Sequence, residues 1–300
     1  MIQFPISGVE TYWWLPVLVA FLISSLTSMG GVSGAFLILP FQISFLGFTG
    51  PAVSPTNMFY NIVAIPSGVY RYYREGRMVW TLTWTTITGT LPGVFLGALI
   101  RINYLPDPEA FKVFVGAVLL YIGIRLLHDI LKRRKNERNN STNGGQFRVA
   151  PLHSNMRRIG YEFNGEPYYA STVGLLSLSF IVGIIGGTYG IGGGAIIAPF
   201  LVAVFGLPVH TVAGAALLGT FMTSVAGVVF YSAIAPFYSG SNLAISPDWM
   251  LGGLFGVGGA MGMYVGARLQ RFVPARAIKA ILVICMFFIA IKYVIDIFYK

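Results

Sequence analysis

The sequence predicts an all-α polytopic membrane protein made of two inverted-topology repeats. It is expected to have broken or short helices, roughly 8–10 membrane segments and a small cytoplasmic β-hairpin element. Three observations carry this reading. The composition is too apolar for a soluble chain. The stretch GGVSGAFLILPF (30–41) recurs as YGIGGGAIIAPF (189–200). The positive charge is gathered in a few loops.

Of the 300 residues, 55% are apolar and only 10% charged, and the mean hydropathy is +0.72. That much apolar surface needs lipid as its solvent. The 37 glycines show no collagen-like period and suit close helix packing in a bilayer. The single cysteine, Cys285, excludes an intrachain disulfide and a cysteine metal cluster. It lies in an apolar run, where packing is its expected role. The opening MIQFPISGVE has no lysine or arginine. A cleaved signal peptide needs a basic start, so the first apolar segment is expected to be a retained span.

Apolar segments fall near 12–30, 33–48, 52–71, 82–101 and 110–131, and again near 171–189, 193–207, 210–233, 247–267 and 277–298. This divides the chain into a first transmembrane repeat (12–131), a basic cytoplasmic loop (132–169) and a second transmembrane repeat (170–298). The loop starts with a basic run expected to be disordered. It ends in RRIGYEFNGEPYYAS, where Asn164-Gly165 separates two short strand-like runs, a β-hairpin signal. The net charge of +10 sits largely in 132–158, in RYYREGR (71–77) and in RLQRFVPARAIK (268–279). Spans flank the 132–158 run on both sides, so it reads as a cytoplasmic loop and not as a nucleic-acid patch. Placing these loops in the cytoplasm puts both termini outside and predicts multi-pass insertion in the cytoplasmic membrane. Trp13, Trp14, Trp80, Trp84 and Trp249 then fall near the interfaces.

The repeat aligns without gaps at a shift of 159. Gly31, Gly34, Ile38, Pro40, Phe41 and Gly47 meet Gly190, Gly193, Ile197, Pro199, Phe200 and Gly206. Val53, Gly68, Val69 and Tyr72 meet Val212, Gly227, Val228 and Tyr231, which covers residues 31–72; later parts align with small further shifts, as where GVFLGA (93–98) matches GMYVGA (262–267). An odd number of crossings per half sets the copies in opposite directions, an architecture typical of secondary transporters. A channel is the other reading of the same pattern.

The segments after the two breaks are short. Fifteen residues of helix span about 22 Å, less than a hydrocarbon core of about 30 Å. Irregular backbone at that depth needs cover from protein or from a water-filled cavity. A helix starting at a glycine turn offers free N–H groups and the positive end of its dipole, where anions bind. The candidate substrate-binding groups are Gly31, Ser33 and Gly34 in the first half and Gly190, Gly192, Gly193 and Gly194 in the second. Each glycine alone serves helix packing equally well; two symmetric clusters favour a site. The next segments add Asn57 and Asn61, four apart on one helix face, and Thr220, Thr223 and Ser224. Polar residues inside spans often line a pathway.

No carboxylate lies near the breaks, so a carboxylate proton relay is not expected. There is no Walker motif and no catalytic cluster, so neither an ATP-driven pump nor an enzyme is predicted. No cofactor and no metal is called for. The expected partners are a small anionic substrate and membrane lipid, with no nucleic acid. Oligomeric state is left open, a homodimer being one option.

GIGGGAIIAPFL (190–201), VAGAALLGTFMTSVAG (212–227) and REGRMVW (74–80) resemble the sulfite exporter TauE/SafE family, also called the toluene sulfonate uptake permease family. The likeness covers both membrane halves but not the central loop. The first copy departs from the second at Ser33 and Ala35, which stand where the second has Gly192 and Gly194. The resemblance implies export of small sulfur-containing anions such as sulfite, sulfoacetate or other organosulfonates. The alternatives are import of small carboxylates or sulfonates and, from another class, a membrane scaffold or sensor working through its cytoplasmic loop.

Overall fold

The computed structural model describes residues 1–29, 33–74, 76, 78–133, 149–152, 155, 157–163, 165–238, 240, 243–269 and 275–298. The chain begins with a hairpin that pairs β1 (Ile2–Gln3) with β2 (Glu10–Thr11). Its turn includes Gly8, at φ 67°. The first half then runs α1 (Trp14–Met29), α2 (Ala35–Ser44), α3 (Val53–Ala64), α4 (Pro66–Arg74), α5 (Trp80–Asn103) and α6 (Pro108–Arg133). An antiparallel sheet of β3 (Val149–Pro151), β4 (Arg158–Phe163) and β5 (Glu166–Ser171) follows. The second half holds α7 (Thr172–Tyr189), α8 (Gly194–Phe205), α9 (Val209–Ile234) with a 3-10 turn at Ala235–Tyr238, α10 (Trp249–Leu269) and α11 (Ala275–Phe298).

Among the described residues, α5, α6, α7 and α9 each contain a helix long and apolar enough to cross a membrane, and α1 and α2 are shorter apolar helices. The five tryptophans expected at interfaces are all exposed. Helix ends follow from local chemistry. Asp107 Oδ2 accepts from the Glu109 and Ala110 amides and caps α6. Ser171 Oγ accepts from Gly174 N at the start of α7. Asp248 Oδ1 accepts from Leu251 N to cap α10, while its Oδ2 takes Ser7 N and Ser7 Oγ, which docks the N-terminal hairpin.

Three features differ from the sequence reading. Segment 52–71 is not one span. It divides into α3 and α4 at Ile65-Pro66, because a proline inside a helix removes a hydrogen bond and clashes with the preceding turn. Its counterpart, α9, has Val225 there under the 159 shift and runs unbroken. The expected hairpin forms at 158–171, with Tyr161 opposite Tyr168, but β3 adds a third strand. Gly165 takes φ 86° in its turn, and Asn164 lies outside the described residues. So does most of the basic run 132–158. The N-terminal hairpin was not foreseen at all.

The helices pack by exchange between halves. The first helix of each half lies along the other half's long helix: α1 against α10, and α7 against α5. Likewise α3 meets α10 while α9 meets α5, and the pairs α6–α11 and α3–α9 join like with like. Glycine stripes make the first two contacts possible. A Cβ at Gly93 or Gly97 would run into α7 carbonyls, and one at Gly258, Gly262 or Gly266 into α1 carbonyls. This is small-residue packing at a spacing of four, as helices use in lipid, where apolar side chains gain little by meeting each other.

Candidate functional site

The two helix breaks meet at α3. Asn57 and Asn61, one turn apart, are both wholly buried. Asn57 Nδ2 donates to the carbonyls of Ala35 and Gly190, each at 3.0 Å. Its Oδ1 accepts from Gln42 Nε2 at 3.4 Å. Asn61 Nδ2 donates to the Ile191 carbonyl at 3.0 Å and to Ser224 Oγ at 3.3 Å. Its Oδ1 accepts from Ser33 Oγ at 2.8 Å. A carboxamide has two N–H donors and one carbonyl acceptor, and both asparagines use all three kinds of bond to tie the first break to the second.

The second break is shaped by left-handed backbone. Helix α7 ends at Gly190 (φ 87°), whose amide and that of Ile191 both return to the Gly186 carbonyl. A Cβ at Gly190 would stand 2.5 Å from Ser54 Cα. Gly192 is again left-handed, at φ 75°, with Ser224, Thr220 and Thr223 around it. Gly193 N donates to Thr223 Oγ1 at 3.2 Å. A Cβ at Gly194 would run into the Ala216 carbonyl and the Thr220 backbone, so α8 rests directly on α9. Thr220 returns its own hydroxyl proton to the Ala216 carbonyl.

At the first break Gly34 precedes α2 in right-handed conformation, as Gly193 precedes α8. Space for a Cβ there is limited by the Tyr60 hydroxyl at 2.7 Å, itself bonded to Ser24 Oγ. Ser33 Oγ also receives the Ala35 amide at 3.4 Å. Gly31 lies outside the described residues.

The structure therefore brings together Ser33, Asn57, Asn61, Gly190, Gly192, Gly193, Thr223 and Ser224. Gly34 is set apart against α1, and Gly194 and Thr220 sit in the α8–α9 contact. Three further contributors were not singled out in the sequence. Tyr189 OH donates to the Phe36 carbonyl at 2.8 Å, joining the end of α7 to the first turn of α2. Ser54 Oγ donates to the Thr188 carbonyl at 3.2 Å. Gln42 reaches Asn57. A polar residue in an apolar run was the available signal for Gln42 and Ser54; nothing local marks Tyr189.

Electrostatically the region is neutral except for helix ends. Helix α2 has 10 residues and α8 has 12, about 15 and 18 Å, well short of a bilayer core. Both have a glycine N-cap with no side chain of its own, so beside the amides that Ser33 and Thr223 accept the positive ends of two helices converge where the asparagines meet. Among the described residues, the charged side chains that are fully buried are Arg101 and Asp248. No group of three or more His, Cys, Asp or Glu among those residues could hold a metal ion. A cavity of about 400 Å³ lies elsewhere, bounded by Tyr73, Met78, Trp80, Val149 and Tyr161. The described residues at the two breaks, 33–35 and 190–194, are buried.

The family model described as sulfite exporter TauE/SafE matches residues 16–293, from α1 to α11. The chain belongs to the sulfite exporter TauE/SafE family. Two curated relatives from Bacillus subtilis (strain 168) are similar over shorter stretches. "Probable membrane transporter protein YunE" is 26% identical over 171 residues, 56% of this chain and 56% of that protein. "Probable membrane transporter protein YdhB" is 29% identical over 124 residues, 41% of this chain and 46% of that protein. The chain thus spans about half the length of the curated relatives it matches. No solved structure matches it. Both breaks, α3 and α9 lie inside the region that defines this TauE/SafE member, and its apolar helices make it a multi-pass membrane protein.

Proposed function

We propose that this TauE/SafE family protein is a secondary transporter that exports small sulfur-containing anions, of the sulfite or organosulfonate class, across the cytoplasmic membrane. The anion is held between the halves by Ser33, Asn57 and Asn61 on one side and by Gly190, Gly192, Gly193, Thr223 and Ser224 on the other. The observation that carries this reading is the convergence of two helices with glycine N-caps on one buried, uncharged cluster of carboxamides and hydroxyls. Such a cluster stabilises negative charge without binding it as tightly as a fixed cation would.

The asparagines give a mechanism for release. In this arrangement their N–H groups donate to the neutral carbonyls of Ala35, Gly190 and Ile191. An oxyanion is a stronger acceptor than a carbonyl. When it takes those donors, the bonds that pin one break to the other are lost and the halves are free to part. With the basic loops in the cytoplasm and both termini outside, an inside-negative potential favours exit by about 2.3 kcal/mol per charge per 100 mV.

A thermal-shift series on purified protein with sulfite, sulfoacetate, taurine, thiosulfate and lactate tests the site. A true ligand at about 100 times its Kd stabilises the folded state by about 2.7 kcal/mol. If none of the anions raises the melting temperature, the site reading fails. Sulfite release from proteoliposomes should accelerate as the potential grows; uptake in its place would favour an importer.

A further inference from the structure

The N-terminal hairpin has no part in the site described so far. With two residues in each strand it has little stability of its own, so its shape depends on what it docks against. Inside it, Phe4 N donates to the Val9 carbonyl at 2.8 Å and Gly8 N to the Phe4 carbonyl at 2.9 Å. Phe4 and Val9 are buried in the main apolar core. Between them, Ser7 gives both its donors to Asp248 Oδ2, the amide at 3.0 Å and the hydroxyl at 2.8 Å. Asp248 is itself buried. Its other carboxylate oxygen caps α10, and its amide donates to Thr56 Oγ1 at 2.8 Å. Thr56 directly precedes Asn57 on α3. The Ala52 amide, just before α3, donates to the Ala244 carbonyl at 3.0 Å. The start of α3 is thus tied twice to the chain that leads into α10.

Contacts therefore run in series from the hairpin to the candidate site: Ser7 to Asp248, Asp248 to Thr56, and Asn57 to both breaks. The hairpin docks at the end of the bundle where α3 and α10 start, and Asn57 lies about one turn inside that end. We propose that this hairpin is a strap over the outer mouth of the anion path, which undocks from Asp248 each time an anion leaves and limits the rate of release. The proposal rests on the anion-transport reading above, whose orientation puts the starts of α3 and α10 outside. When an anion takes the Asn57 donors, α3 is released from Ala35 and Gly190, and Thr56 passes that movement to Asp248. Water can replace Ser7 on the carboxylate, since exchanging protein for water partners changes the net free energy only modestly. Once undocked, the hairpin also loses its own strand pairing. The strap thus has two states, docked and frayed, and the site controls which is occupied.

A reversible crosslink tests the strap. Ser7→Cys/Asp248→Cys is made in a Cys285→Ser background, which removes the only native cysteine, and the full-length protein is reconstituted. Sulfoacetate is the probe, because sulfite cleaves disulfides. Oxidised with copper phenanthroline, this variant should release sulfoacetate about tenfold or more slower than after reduction, as expected when a lid sets the turnover. Unchanged release with the crosslink formed overturns the strap. Ser7→Ala is the second variant, and it deletes one latch bond while leaving the bundle intact. Hydrogen exchange at the Phe4 and Gly8 amides should quicken, and kcat for sulfite release should rise about twofold or more with KM unchanged. A kcat at or below the wild-type value overturns the strap, and this arm decides alone if the double variant does not fold or crosslink. If wild type moves neither sulfite nor sulfoacetate, the transport reading fails and takes the strap with it. If wild type transports and both variants match it, the strap falls and the transport reading stands.

Discussion

The two breaks occupy equivalent places in sequence, and their described residues use backbone and side chain in different proportions. The second has two left-handed glycines, a glycine helix start laid on α9, and short hydroxyls beneath it, with both asparagines bonded to its carbonyls. At the first, described from Ser33 onward, the bonds come from side chains: Ser33, and the two asparagines that reach it from α3. The equivalences explain the contrast. Asn57 corresponds to Ala216 and Ala35 to Gly194 under the 159 shift. In the second half the small pair lets α8 touch α9. In the first half Asn57 stands in the place of Ala216 and hydrogen-bonds to the Ala35 carbonyl. The sequence correspondence thus coexists with a division of labour. Helix α3 supplies the cross-links to both breaks, whereas α9 serves mainly its own.

That contrast can be broken from either side. The largest effect is expected at Gly190→Ala, which combines a left-handed backbone with a clash against the Ser54 main chain. A loss of about 3 kcal/mol or more is expected, seen as loss of the monodisperse peak in detergent. Asn61→Ala comes next, at about 2 kcal/mol, because it strands Ser33 Oγ and the Ile191 carbonyl in a buried region. Its melting temperature should fall and its sulfite release should stop, and a variant that still exports at the normal rate would remove Asn61 from the mechanism. Gly34→Ala should cost about 1 kcal/mol, since its new methyl meets the movable end of Tyr60 and not a backbone. Pairing it with Tyr60→Phe in a double-mutant cycle should recover part of that loss; strict additivity would show that Tyr60 does not set the space at the first break. The smallest effect is expected outside the breaks. Tyr161→Phe loses the bond to Thr211 Oγ1 that ties the sheet to α9 and should cost about 1 kcal/mol, read as faster proteolysis of 149–171. Burial pushes the Tyr161 hydroxyl up to about 12 from 10.0. The neutral form is therefore favoured in the fold, and its contribution is complete below about pH 10 and lost as the pH rises through about 12.

The breaks were legible in the sequence because glycine leaves a local mark and the repeat doubled it. The asparagines were legible as buried polar groups four apart, but not as bridges, since no local pattern tells which carbonyls a carboxamide will find. Tyr189 was hidden for the same reason: its partner, Phe36, is distant in sequence and in the other half. Proline at 66 was visible and was read through as part of a span, because the apolar run on both sides outweighed one breaker. The N-terminal hairpin is only two residues per strand and depends on Asp248, a contact that no window of sequence contains.

The exchanged packing has a consequence for how the protein is made. Helix α1 is made more than two hundred residues before its glycine-striped partner α10. Through that interval α1 must wait among lipids with four hydroxyl residues near its end. Ser25, Thr27 and Ser28 donate to carbonyls of their own helix, so they can tolerate that wait. Ser24 alone depends on a later arrival, Tyr60. Assembly therefore closes late, when α10 slides against α1, and each half acquires its finished shape only from the other.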